Sequence, residues 1–140
     1  MSTDIAAQPA TSVRQLALDS ARAGLDFLVR QQVSTGDSAD MGRFPFTYDC
    51  SANHILTLST NWTTGIGIAA LLAGYRAFSD ERYLQAAGRA VRYLFSIQSF
   101  SPFSRRVRGV FREVTGQSSM AHPRDALTAA WALADWSQIA

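Results

Sequence analysis

Ala21-Arg22-Ala23-Gly24-Leu25-Asp26-Phe27-Leu28-Val29-Arg30-Gln31-Gln32 and Ala87-Gly88-Arg89-Ala90-Val91-Arg92-Tyr93-Leu94-Phe95-Ser96-Ile97-Gln98 decide the fold of this chain, because they read as one segment written twice. Apolar residues recur at helical spacing in both. Each then runs into a long polar connection carrying Gly-x-Phe, Gly42-Arg43-Phe44 in the first and Gly109-Val110-Phe111 in the second. Each connection leads into an Ala-rich apolar segment, one opening near Trp62 and the other near Pro123. A helical hairpin repeated at this period cannot cover its own apolar face and must stack on neighbours. The expected fold class is therefore all-α, built of antiparallel helical hairpins with outer and inner helices in alternation.

Working outward, Ser12 with Gln15 forms a capping-box pattern. Val13, Leu16, Ala17, Gly24, Phe27 and Leu28 then keep helical spacing, which gives a first helix over about 12–32 with one face to solvent. Asn61 is a good N-cap for a second helix over roughly 62–78. From 66 to 75 this helix is apolar on every side, so it is expected to be buried all round. Ser79-Asp80 turns the chain into a third helix, about 80–99, with Leu84, Ala87, Val91, Leu94 and Phe95 on one stripe. Pro123 opens a fourth, about 123–137, with Leu127, Ala130, Trp131 and Ala134 as its core stripe. Short extended pieces fit 44–48, 54–58 and 110–114. Residues 1–10 read as a loosely ordered lead, and 11–140 as a single domain of two repeats, about 12–78 and 80–137. The last helix ends close to Ala140 with no polar capping hairpin. The expectation is a fragment of a larger ring, or a protomer whose open edge a homo-oligomer would cover.

Composition narrows the function classes. At 140 residues the chain suits one domain, and 47% hydrophobic with 17% charged residues marks a folded protein. All 13 basic residues are Arg, yet the net charge of +2 is too small to call for nucleic acid. Cys50 stands alone, so neither an internal disulfide nor a thiolate metal set is expected. No signal peptide is visible, and no apolar run approaches a membrane span. The expected setting is cytoplasmic, with no membrane partner, no metal and no cofactor.

The paired segments resemble the (α/α) toroid proteins, which include six-hairpin glycosidases, polysaccharide lyases and the isoprenoid cyclase and prenyltransferase rings. The resemblance covers about 12–137, two hairpins where a complete ring has roughly six. Asn61-Trp62-Thr63-Thr64-Gly65, Tyr75-Arg76-Ala77-Phe78-Ser79-Asp80-Glu81-Arg82-Tyr83-Leu84 and Gly109-Val110-Phe111 look most like the carbohydrate-active branch. The resemblance implies a partial α/α toroid whose cavity lies where the inner helices begin. It also implies a carbohydrate-active segment, of glycoside hydrolase or polysaccharide lyase type, that binds an oligosaccharide. The alternatives are an isoprenoid-type ring and a non-catalytic helical-repeat scaffold.

Helix N-termini offer unsatisfied N–H groups there, and the connections bring polar side chains to the same rim. Glycosyl transfer needs two carboxyl groups of unlike pKa, for which Asp49 and Glu113 are the first choice over Asp40 and Asp125. A lyase needs a base for the proton beside a uronic carboxylate, and Tyr48, His54 and His122 are available. Trp62 offers a stacking face, while Phe44 and Phe46 read as plugs between helices. Arg43, Arg112 and Arg124 suit anionic or hydroxyl groups of a substrate. Against these stand plainer readings: Asp49 as a turn acceptor, Asp125 as a helix-dipole partner, and Arg105, Arg106, Arg108 and Arg112 as a solvated basic loop.

Overall fold

The computed structural model describes residues 12–36, 38–100, 105–114 and 120–139; the lead expected over 1–10 lies outside them. Helix α1, Val13–Gln31, starts where Ser12 accepts the N–H of Gln15 at 3.2 Å. The Gln15 carboxamide reaches forward to Asp19 instead of closing the box. After a connection come β1, Pro45–Asp49, and β2, His54–Leu58, and then helix α2, Asn61–Phe78. Ser79 ends α2 in the left-handed conformation, its N–H bonded to the Tyr75 carbonyl at 2.8 Å. Asp80 caps α3, Glu81–Ile97, by accepting the N–H of Arg82. Helix α4, Pro123–Trp136, carries its proline at the first turn, where no N–H is missed.

The chain is mixed α/β rather than all-α, because two of the three extended pieces pair. Strands β1 and β2 form an antiparallel hairpin with Pro45 opposite Leu58 and Asp49 opposite His54. Asn53 takes a positive φ of 52° in its turn. The third piece makes only an isolated bridge, Phe111 to Gln98. A bulge lies between Pro45 and Thr47, and it breaks the side-to-side alternation. Phe44 is therefore 2% exposed and packs on Gly67 of α2, whereas Phe46 is turned out at 59%. Only Phe44 is a plug.

Both connections begin with the same clamp. The Val33 N–H donates to the Arg43 carbonyl and the Gly42 N–H returns to Val33; likewise Ser99 donates to Val110, and Gly109 returns to Ser99. Gly42 and Gly109 have φ of 93° and 85°, a region that side chains with a Cβ rarely enter. Gly42 has a second constraint, since a Cβ there would lie 2.3 Å from the Arg89 carbonyl oxygen on α3. The phenylalanines that follow at +2, Phe44 and Phe111, are both buried.

Helix α2 is the centre of the packing and lies against both α3 and α4, while α1 touches α2 and α3 more lightly. Ile68, Leu71 and Leu72 of α2 meet Tyr83, Val91 and Leu94 of α3 and Ala129 and Ala132 of α4 in one core. Gly65 lets the α4 backbone come close: a Cβ there would sit 2.7 Å from the carbonyl of Thr128. The outer–inner scheme needs three corrections. Helix α2 is not enclosed all round, since Trp62, Ile66 and Ala73 lie on an open face. The expected α4 stripe points outward, with Leu127 and Trp131 at 69% and 60% exposure, and the covered face is Ala126, Ala129 and Ala132. Helix α1 is exposed from its start through Gly24. The four described helices come in the expected chain order, and among the described residues Val13 and Leu16 of α1 and Leu127 and Trp131 of α4 stay exposed. No described helix is long and apolar enough to cross a membrane.

Candidate functional site

Helix α2 begins one residue earlier than its sequence suggests. Thr60 is the N-cap, and its N–H donates to the Thr63 hydroxyl at 2.8 Å, so Thr63 takes the role usually filled by Glu or Gln. Asn61 is fully buried inside the first turn; its Oδ1 accepts the Trp62 N–H, and its Nδ2 has no partner. The Asn61 N–H donates to the Glu113 carbonyl at 2.9 Å. That bond fastens the second connection onto the mouth of α2, with Trp62 the next residue along the helix. The indole is 42% exposed.

From there Glu113 faces the start of α4. Its Oε2 lies 3.6 Å from His122 Nε2, both side chains part exposed, and His122 is the N-cap residue of α4. The Glu113 N–H donates to the Met120 carbonyl, so this stretch of chain is held at both ends. Arg112 is anchored through its backbone N–H to Ile97. Glu113, from the second connection, and His122, at the start of α4, thus come together, and Trp62 lies at the start of α2, one residue beyond the bonded Asn61.

The other candidates are placed elsewhere. Asp49 stands at the far end of β1, about 13 Å along the strand from its base. Its Oδ1 accepts the Ser51 hydroxyl at 2.6 Å and the N–H groups of Ser51 and Ala52. These bonds, the Ser51 hydroxyl foremost, hold its pKa below the usual carboxylate value. Asp49 and Glu113 share no contact. Tyr48 and His54 belong to the same hairpin end: Tyr48 bonds Asn53 and sets its ring edge-on to Phe27 at 5.1 Å, and His54 is exposed.

Arg43 is an internal strut rather than a substrate contact. Its guanidinium donates to the carbonyls of Ser59 and Leu58, pairs with Asp40 at 2.6 Å, and lies over the Tyr93 ring. Arg124 pairs through its Nε with its neighbour Asp125 at 2.8 Å, which raises its pKa, and its side chain is otherwise exposed. Among the described residues no group of three His, Cys, Asp or Glu side chains could hold a metal ion.

Sequence reading missed the pairing of Glu113 with His122, although both lie between the end of α3 and the start of α4. It also missed Gln32, a buried amide whose Nε2 donates to the carbonyls of Gly42 and Ala86 and whose Oε1 accepts from Arg89. The repeat itself carried that signal, since Gln32 aligns with Gln98. Comparison with family models, with curated proteins and with solved structures finds no match to this chain.

Proposed function

We propose that this chain is a carbohydrate-active segment whose rim at the starts of α2 and α4 binds an oligosaccharide, with Glu113 and His122 as its proton-handling pair. The observation that carries the reading is the 3.6 Å approach of a carboxylate to an imidazole, with Trp62 exposed at the helix start to which the Glu113 backbone is bonded. An imidazole nitrogen beside a carboxylate can accept and return a proton. An indole offers the flat apolar face on which a sugar ring stacks. The resemblance to the carbohydrate-active branch supports the same substrate class.

Of the two reactions considered, elimination suits the arrangement better than two-carboxylate hydrolysis, because Asp49 is engaged in its own turn. In that reaction His122 removes the proton beside a uronic carboxylate, the electron pair forms the new C=C bond, and the glycosidic C–O bond breaks. The departing oxygen takes up a proton. A reducing cytoplasmic setting fits Cys50, the exposed free thiol.

A non-catalytic scaffold is favoured by a different observation, the open apolar surfaces. These are a groove of about 520 Å³ between α1 and α2 and the outward Leu127 and Trp131 of α4. The isoprenoid reading lacks comparable support, since no arginine lines that groove.

The test is isothermal titration with uronic and neutral oligosaccharides, together with the ultraviolet absorbance of an unsaturated uronate product. Binding of the uronic series that is lost in Trp62→Ala, with elimination lost in His122→Asn and Glu113→Gln, is the expected result. A folded protein that binds neither series sinks the proposal, as does activity that survives both substitutions.

A further inference from the structure

On the flank of α3 lies a cleft of about 380 Å³, and none of its lining residues belongs to the rim. Its walls are Leu84, Gln85, Gly88, Arg89 and Arg92 of α3 with Trp136 of α4, and Glu81 closes one end. Arg89 and Arg92 are three residues apart on one helix, which sets two positive charges on the same face. Neither makes an ion pair with any described carboxylate; the six ion pairs involve other residues. Glu81 is about 12 Å along the helix from Arg89, and its carboxylate accepts the Tyr75 hydroxyl.

Arg89 is also held in place. Its Nε donates to Gln32 Oε1 at 2.8 Å, and Gln32 is itself buried and fixed by the Gly42 and Ala86 carbonyls at 2.9 Å each. This aims the guanidinium while leaving its terminal N–H groups for a ligand. Burial, and after it the charge of Arg92, lowers the Arg89 pKa. Trp136 supplies the apolar wall: its indole lies 3.1 Å from where a Cβ on Gly88 would be, so the glycine makes room for the ring.

We propose that this cleft binds a small organic anion, with an oxyanion head on Arg89 and Arg92 and a flat apolar body against Leu84, Gly88 and Trp136. Two guanidinium forks suit a carboxylate or phosphate group. The wall accounts for preferring an anion with an apolar body to a bare ion, since bare phosphate would leave the indole and Leu84 unused. This site is independent of the rim and stands or falls separately.

Isothermal titration of the full chain with phenyl phosphate tests it, with benzoate, inorganic phosphate and benzyl alcohol as parallel arms. Phenyl phosphate and benzoate are expected to bind at least about tenfold more tightly than either inorganic phosphate or benzyl alcohol. Arg92 is exposed, so Arg92→Gln is expected to fold; it lowers affinity about tenfold, while Arg14→Gln on α1 leaves it unchanged. In a Trp62→Phe/Trp131→Phe background the remaining indole, Trp136, is expected to report binding by fluorescence. Equal affinity for all four compounds overturns the proposal. So does no binding to the folded chain, or phenyl phosphate affinity that Arg92→Gln leaves untouched.

Discussion

Gly65→Ala and Gly24→Ala are the same chemical change on two helices, and the structure gives them opposite signs. Both glycines sit within helices, where alanine is favoured by about 1 kcal/mol through helix propensity. At Gly24 nothing lies within 4 Å of the new Cβ, so that gain is realised, and about 0.5–1 kcal/mol of stabilisation is expected. At Gly65 the new Cβ would lie 2.7 Å from both the carbonyl carbon and oxygen of Thr128 and 2.9 Å from the Ala129 nitrogen. Comfortable carbon contacts begin near 3.5 Å, so α2 and α4 must part by roughly 0.8 Å. The obstacle is backbone, which no rotamer change can move. Overpacking of this kind costs about 1–3 kcal/mol, and the rigid obstacle places Gly65 at the upper end. Set against the propensity gain, a net loss of about 2 kcal/mol remains. Circular dichroism at the helix band, followed through thermal or urea unfolding, reads both variants. Each kcal/mol should move Tm by about 3–5 °C in a chain of this size, so the pair should straddle the wild type by roughly 10 °C. If Gly65→Ala melts at or above the wild-type temperature, the close approach of α2 and α4 is wrong.

Gln32→Leu leaves the Gly42 and Ala86 carbonyls without their side-chain donor and releases Arg89; a loss of about 2–4 kcal/mol in urea unfolding is expected, and a loss below 1 kcal/mol counts against the buried amide. Phe44→Ala opens a cavity against Gly67 and should cost about 3 kcal/mol, whereas Phe46→Ala should stay within about 0.5 kcal/mol, a contrast measurable by chemical denaturation. Asp49, Asp80 and Asp135 all have pKa values below 3.8, held down chiefly by the side chains of Ser51, Arg82 and Arg76. Their folded values are the lower ones, so their stabilisation is present above the unfolded value and disappears as pH falls through the folded values; Tm should be level to about pH 5 and drop below about pH 4.

Much of the helical part of the fold was legible because its signals are local. Ser12, Asp80 and Pro123 mark helix starts through side-chain chemistry that acts within one turn. Thr60 was overlooked since Thr63 answers it with a hydroxyl where a longer polar side chain is usual. The β-hairpin was visible as two extended pieces, yet their pairing depends on a bulge that no periodicity announces. The exposed Leu127 and Trp131 show a different limit: an Ala-rich helix offers several equally plausible apolar stripes, and only the neighbouring helix selects one. At the rim, Trp62 and His122 could be read from their places near helix starts. The approach of Glu113 could not, because a backbone bond from Asn61, 52 positions earlier in the chain, puts it there. Arg43 failed as a ligand candidate for a similar reason, being consumed by carbonyls that the hairpin folds over it.

The paired hydrogen bonds joining Val33 to Gly42 and Arg43 act like a knot tied at the neck of a purse. Ser34, Thr35, Gly36, Ser38 and Ala39 beyond the knot are exposed, and lengthening the loop there costs only about 0.6 kcal/mol for each doubling. Segments grafted at Ser34–Gly36, clear of the Asp40–Arg43 pair, should therefore leave the helices undisturbed, which makes that neck a natural place for new surfaces to arise or be installed.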